Sequence, residues 1–164
     1  MTGIGNRYEI SSLTNDKVKL INSLHHRKYR REHNLFVAEG IRICREAAEN
    51  GWEIRYLLYD SLNVDTYIIE NLINEILCLG ADVIGVTSEI LSKISHKENP
   101  QNVLCVIGQK WNDLPTIIKE KTFVALETVR DPGNLGTILR TMDGVGATDC
   151  ILLDECTDPF SYES

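Results

Sequence analysis

The stretch TFVALETVRDPGNLGTILRTMDGVG, residues 122–146, has the pattern of a strand, a tight turn and a helix. The apolar run TFVALETV is rich in residues that favour a buried strand. Asp131 is of a type that caps helices, and Pro132 suits the first helical position, where no amide hydrogen is needed. A strand followed directly by a capped helix is typical of layered α/β folds, and we expect that fold class here.

The helix predicted over residues 132–146 has an apolar face and a nearly bare face. At about 100° per residue, the apolar face would consist of Leu135, Ile138, Leu139, Met142 and Val145, and the bare face of Gly133, Gly136, Arg140 and Gly144. Glycine lets a ligand approach the backbone, and arginine is a forked donor suited to phosphate. Asn134 lies in the first turn, where its amide would reach a ligand at the carboxyl end of the strand. The alternative is a capped helix with packed glycines and a solvated arginine.

Outward from this stretch, the chain alternates between predicted helices and strands. A helix begins near Thr14 and ends near His33, and Gly51 occupies an expected left-handed stop after a second helix. The other predicted helices cover residues 40–51, 66–80 and 89–95, and the predicted strands cover 35–40, 53–60, 81–87, 102–108, 122–129 and 149–154. This pattern predicts a three-layer α/β/α domain over residues 1–108, a linker over 109–121 and a second α/β unit over 122–164.

The second unit is too small to bury both faces of a parallel sheet by itself. Its strands would extend the first sheet, be completed by a partner, or belong to a domain whose remainder lies outside this sequence. All three arrangements are compatible with the 164 residues.

Composition limits the class of protein. The 43% hydrophobic and 25% charged residues are those of a globular domain, and no apolar run approaches the roughly 18 residues of a membrane span. The five cysteines form no CxxC pair, so we expect reduced thiols in the cytoplasm and no metal site.

Charge is distributed unevenly along the chain. The net charge is -7, but residues 1–50 carry nine basic and six acidic side chains. The positive charge concentrates in RKYRR, where Arg27, Lys28, Tyr29, Arg30 and Arg31 follow one another. We expect the three arginines on one side of a helix, with Tyr29 able to stack on a base, which is suited to RNA. The alternative is the solvated end of an amphipathic helix.

Three segments in order resemble one family. DPGNLGTILRTMDGVGATDCILL (131–153) resembles the first signature of the SpoU/TrmH family of RNA ribose methyltransferases, in the knotted SPOUT superfamily. KLINSLHHRKYRREHNLFVAEGIRICREA (19–47) and SEILSKISHKENPQNVLCVI (88–107) resemble parts of its N-terminal substrate-binding domain, which is similar to small ribosomal proteins that bind kinked RNA.

The resemblance implies a reaction and roles for individual residues. It implies S-adenosylmethionine as methyl donor, a ribose 2′-hydroxyl of RNA, above all ribosomal RNA, as acceptor, and a homodimer. Asn134 and Arg140 would be the catalytic residues. Glu127, Gly133 and Gly136 would support the active site.

The resemblance is incomplete after the first signature. The family's second and third signatures, which build the methyl-donor pocket and the knot, would follow DPFSYES (158–164) and are not in this sequence. We therefore expect an incomplete catalytic domain that is inactive by itself. The alternative function is a non-catalytic RNA-binding fragment.

Overall fold

The computed structural model describes residues 4–63, 66–97, 99–113 and 122–162. The chain divides into two compact units, Met1–Gln109 and Lys110–Ser164. Most of the predicted linker, residues 114–121, lies outside the described residues. Among the helices that the structure describes, none is long and apolar enough to cross a membrane.

The first unit is built on a five-stranded mixed sheet. Its elements are β1 (Arg7–Ile10), α1 (Asp16–Ser23), α2 (Arg27–His33), β2 (Leu35–Glu39), α3 (Ile41–Glu49), β3 (Ile54–Asp60), α4 (Thr66–Cys78), β4 (Asp82–Val86), α5 (Ser88–Ser95) and β5 (Val103–Gly108). The strand order is β1-β4-β3-β5-β2. The pairs β1–β4 and β3–β4 are parallel, whereas β5 is antiparallel to both β3 and β2. The predicted α/β class is confirmed.

Side chains alternate between the two faces of this sheet and bury both. Leu57 and Val83 belong to one apolar cluster with residues of α3 and α4. Their neighbours Leu58 and Ile84 are equally buried but point to the opposite face. The helices α1 and α5 contact each other, and α5 contacts β3, on that second side. The first unit therefore has helices on both faces of its sheet.

The edge strand β1 was not predicted. Its four residues, RYEI, have a single fully buried side chain, Ile10, so the apolar pattern is too short to indicate a strand. Just before it, Gly5 packs against the residue that precedes β4. A Cβ added to Gly5 would stand 1.9 Å from the carbonyl oxygen of Ala81. Packing against the rest of the sheet therefore determines this strand.

The single helix predicted from Thr14 to His33 is wrong: two helices, α1 and α2, are separated by a turn at residues 24–26. The guanidinium of Arg30 donates to the carbonyls of Leu24 at 2.8 Å and His25 at 2.7 Å. His26 has an extended backbone, with φ -91° and ψ 128°. Arg30 satisfies carbonyls that a continuous helix would satisfy by itself, so it stabilises the break.

The second unit contains β6 (Phe123–Glu127), α6 (Pro132–Gly144) and β7 (Asp149–Leu153). The two strands pair in parallel as a sheet of their own and do not extend the five-stranded sheet. Two residues of the helix predicted over 132–146 were assigned to the wrong face. Gly136 is buried together with its neighbour Leu135. Val145 is 76% exposed, because α6 ends at Gly144.

We expect Asp60→Ala to destabilise the first unit by about 2 kcal/mol or more, because a buried carboxylate that accepts several hydrogen bonds would be lost. The carboxylate is 2% exposed at the end of β3. It accepts from the amides of Leu62 and Asn63 at 3.0 and 3.2 Å, from the Asn63 side chain at 3.0 Å, and from the Ser88 hydroxyl. Urea unfolding followed by circular dichroism checks this loss.

The same carboxylate gives a pH dependence. Burial raises the pKa of Asp60, but the hydrogen bonds from Ser88 and Asn63 outweigh burial and lower it below its ordinary value. Its contribution is therefore present above the unfolded pKa of about 4 and is lost as the pH falls through the folded pKa. Asp60→Asn should show a smaller loss of stability on acidification than the wild type. Equal losses would contradict this assignment.

Arg30 and Arg31 form a matched pair for a second stability test. Arg30→Gln should lower the free energy of unfolding by about 2 to 3 kcal/mol, because it removes charged hydrogen bonds to two carbonyls. Arg31→Gln changes an exposed side chain and should stay within about 0.5 kcal/mol of the wild type. Urea unfolding at neutral pH measures both. Equal unfolding midpoints would show that Arg30 does not stabilise the turn.

Candidate functional site

The basic residues of α2 point in two directions. Arg27, Lys28 and Arg31 are exposed and Tyr29 is half-buried, as the RNA-binding prediction requires. Arg30 is 4% exposed, and its guanidinium bonds to backbone carbonyls. The prediction that Arg30 shares an RNA-facing side with the other two arginines is therefore wrong. Its role is to hold the turn from which α2 starts.

The exposed side of α2 combines cations with an aromatic ring. The ammonium of Lys28 lies 5.4 Å from the ring centroid of Tyr29. The imidazole of His26 meets the same ring edge-on, with centroids 6.2 Å apart. Cations can contact phosphates, and a partly exposed ring beside them can stack on a base.

A pair of histidines, for which the sequence predicts no role, lies beside this basic helix. The rings of His25 and His96 are stacked, with centroids 3.7 Å apart and planes inclined by 24°. The Nε2 atom of His96 is 2.9 Å from the Oδ1 atom of Asn22, and the His25 ring bonds to the carbonyl of Ile94. His96 also takes the left-handed conformation that ends α5, with φ 54°. Sequence spacing does not reveal a stack between residues so far apart.

A buried carboxylate anchors the segment that follows α5. The side chain of Glu39, at the end of β2, is 2% exposed. It accepts hydrogen bonds from the Ser95 hydroxyl at 3.0 Å and from the backbone amide of Gln101. It also pairs with the Lys97 ammonium at 3.3 Å. This network joins the end of α5 and the segment after it to β2, the strand that follows α2.

In the second unit, both parallel strands end in strained backbone. Thr128 directly follows β6 and Asp154 directly follows β7, and their φ angles are 56° and 54°. Such angles are uncommon outside glycine, above all for a β-branched residue, and they occur often at ligand sites. The exposed Glu127 precedes Thr128, so it lies at this carboxyl edge.

The cap predicted for α6 is present. The Asp131 carboxylate accepts from the backbone amide of Asn134 at 2.7 Å. A Cβ added to Gly133 would stand 3.3 Å from that carboxylate, so a small residue suits the turn. The exposed Asn134 is thereby placed in the first helical turn, directly after the carboxyl end of β6.

The side chain of Arg140 is exposed and points back along α6 towards the helix N-terminus. Its Nη2 atom donates to the Thr137 hydroxyl at 3.2 Å, and that hydroxyl donates to the Gly133 carbonyl at 2.8 Å. This chain of bonds directs the guanidinium towards the helix N-terminus, where Asn134 lies. Within residues 4–63, 66–97, 99–113 and 122–162, Arg140 forms no ion pair. Gly136 is buried and so cannot line a surface beside it.

A cavity of the second unit does not include the residues that directly follow the carboxyl end of β6. Its volume is about 400 Å³, and its lining includes Phe123 and Asp149, the first residues of β6 and β7. It also includes Leu139 and Leu152, but neither Asp131 nor Asn134 lines it. None of the described residues is assigned to S-adenosylmethionine.

Comparison with known proteins identifies the family. A profile of the MRM3-like substrate binding domain matches residues 15–105, more than half of the chain. Over 153 residues the chain is 30% identical to the 23S rRNA (guanosine(2553)-2′-O)-methyltransferase RlmP of Bacillus subtilis. The matched region is 93% of this chain and 57% of that relative. The chain therefore spans little more than half the length of this relative.

Solved structures agree with this assignment. An AdoMet-bound rRNA methyltransferase from Sinorhizobium meliloti is 40% identical, with a TM-score of 0.86 over 97% of this chain and 59% of that chain. The SpoU methyltransferase AviRb from Streptomyces viridochromogenes, solved with AdoMet, is 25% identical, with a TM-score of 0.81 over 91% of this chain and 57% of that chain. The chain thus contains an MRM3-like substrate-binding domain and belongs to the SpoU/TrmH family of RNA 2′-O-ribose methyltransferases.

Proposed function

We propose that this chain serves methyl transfer from S-adenosylmethionine to a ribose 2′-hydroxyl of RNA, with ribosomal RNA as the substrate. The observation that carries the proposal is the exposed guanidinium of Arg140, held by Thr137 towards the first turn of α6. Relatives named as rRNA 2′-O-methyltransferases or solved with AdoMet support the substrate and the methyl donor.

In this proposal the first unit binds the RNA. Arg27, Lys28 and Arg31 are exposed along α2, where they neutralise phosphates. Tyr29 offers part of its ring for stacking. The acidic net charge of -7 confines attraction for RNA to such basic patches. We expect the protein to act in the cytoplasm, and a homodimer remains a prediction.

The second unit would position the reacting ribose. Arg140 clamps the phosphate beside the target nucleotide and stabilises negative charge that develops there. It does not act as a base, because a guanidinium keeps its proton at physiological pH. Asn134 orients the ribose through its amide. Glu127, with Gly133 and the strained Thr128, shapes the strand end that holds the nucleotide.

The alternative is an RNA-binding module without transfer activity. One observation favours it: the family profile covers the substrate-binding domain, residues 15–105. Calorimetry of the chain with S-adenosylmethionine separates the two functions. Heat of binding supports the transferase, and its absence supports the binding module.

We expect the double variant Arg27→Gln, Arg31→Gln to bind RNA more weakly. The slope of log affinity against log salt should become flatter by about 2, because two phosphate contacts are lost. Fluorescence anisotropy with a labelled RNA stem–loop measures both quantities. The control Lys19→Gln, Arg55→Gln removes the same charge from exposed positions on α1 and β3. Equal slopes in the two double variants would exclude α2 as the RNA-binding face.

We expect Arg140→Ala, made in a protein in which the catalytic domain is complete, to lower the rate of methyl transfer from radiolabelled S-adenosylmethionine to 23S rRNA by about a hundredfold, the usual cost of losing a charge-stabilising donor. Arg130→Ala is the matched control. Arg130 is an exposed arginine near the same turn, and it pairs with Glu155 at 2.8 Å. Its substitution should leave the rate within about twofold of the wild type. A wild-type rate in Arg140→Ala would refute the role of this guanidinium.

A further inference from the structure

The hydroxyl group of Thr137 connects the first turn of α6 with the guanidinium of Arg140. It donates to the carbonyl of Gly133 at 2.8 Å and accepts from the Nη2 atom of Arg140 at 3.2 Å. A threonine hydroxyl has a single proton to donate, and a guanidinium has donors but no acceptor. Because the proton of Thr137 is used towards Gly133, both bonds have a fixed direction, and the hydroxyl is held as an acceptor for Arg140.

This bond orders Arg140 without using up its donors. In the part of the chain that the structure describes, Thr137 is the one hydrogen-bond partner of the Arg140 side chain. An arginine carries several N–H donors, so the others stay available to a ligand. A long side chain has many rotamers, and a ligand that needs one of them must overcome the entropy of ordering it. Thr137 reduces this cost because it orders the guanidinium before the ligand arrives.

Thr141 offers a comparison one turn further along α6. Its hydroxyl donates to the carbonyl of Thr137 at 2.9 Å, which is the same kind of bond that Thr137 makes with Gly133. Threonine hydroxyls in helices often bond to the carbonyl four residues earlier. Both threonines are exposed. The contact with Arg140 therefore distinguishes Thr137 from a threonine that bonds only to its own helix.

We propose that Thr137 is a positioning residue, whose hydroxyl holds the Arg140 guanidinium in the orientation in which it meets the phosphate beside the target ribose. This inference rests on the proposed function, in which Arg140 stabilises negative charge during methyl transfer. A donor that is already oriented raises the rate because it does not have to reorient at the moment of reaction. Loss of the hydroxyl therefore slows the transfer step. It leaves RNA binding nearly unchanged, since the first unit supplies that binding.

Three single variants test this role in a protein in which the catalytic domain is complete. Thr137→Val keeps the branched shape and removes the hydroxyl, whereas Thr137→Ser keeps the hydroxyl. Thr141→Val is the matched control, because it removes the same bond to a helix carbonyl without touching Arg140. Steady-state transfer of radiolabelled methyl groups from S-adenosylmethionine to 23S rRNA gives kcat and the KM for RNA of each variant.

The expected result is a fall in kcat of about fivefold for Thr137→Val, which corresponds to the loss of one hydrogen bond. The KM for RNA should stay within about twofold of the wild type, because the interaction is made in the transition state. Thr137→Ser and Thr141→Val should both keep kcat within about twofold of the wild type. A wild-type kcat in Thr137→Val, or an equal fall in Thr141→Val, would overturn the inference.

A double-mutant cycle shows whether Thr137 acts through Arg140. If it does, adding Thr137→Val to Arg140→Ala causes no further loss of rate. A further loss of about fivefold would contradict the inference, because the two residues would then act independently. In either of these cases a slow Arg140→Ala leaves the proposed function in place. If Arg140→Ala transfers methyl groups at the wild-type rate, the role of Arg140 and the inference fail together.

A measurement on the 164-residue chain covers the case in which a variant does not fold. Rotation of a guanidinium slows when one of its N–H groups is held by an acceptor, and NMR of the arginine side chains measures this rotation. In the wild type, Arg140 should rotate more slowly than the exposed Arg31 of α2. In Thr137→Val this difference should disappear. Equal rotation of the two arginines in the wild type would overturn the proposal.

Discussion

The two hydrogen bonds from the buried guanidinium of Arg30 to the carbonyls of Leu24 and His25 determine how the first unit presents its surface. They close the end of α1 and hold the turn, so that α2 starts in a new direction. A continuous helix would have placed the basic residues elsewhere. One arginine of a basic run thus supports the backbone, and the exposed ones on the same helix are free to meet solvent or a ligand.

Sequence alone predicted the alternation of helices and strands because each apolar segment has a clear period. It failed where tertiary contacts decide. The edge strand β1 is four residues long, and its place follows from pairing with β4, a contact far away in sequence. The break between α1 and α2 depends on which way Arg30 points, and helical spacing cannot distinguish a buried guanidinium from a solvated one. Gly136 was misplaced for a similar reason, since a glycine carries no sign of its own burial.

The candidate sites show the same division. The Asp131 cap and the position of Asn134 were evident because capping is a local rule. The left-handed backbone of Thr128 was not evident, since a threonine in the sequence does not indicate a positive φ. The bond from Arg140 to Thr137 and the stack of His25 on His96 join side chains through space. Family resemblance pointed to α2 and α6, and the geometry separated the exposed residues of these helices from the buried ones.

The position of β1 has a consequence for how the chain is made. Arg7, its first residue, pairs with Val83 of β4, and Asn6, just before the strand, contacts Asp82 across a separation of 76 positions. On the ribosome, this segment emerges before β4 and has no partner in the sheet until β4 has been synthesised. We expect β1 to join the sheet late in folding, because long-range pairing costs the most chain entropy. The central strands β3 and β4 lie much closer together in sequence. They can therefore pair and form a folding nucleus before β1 joins the sheet.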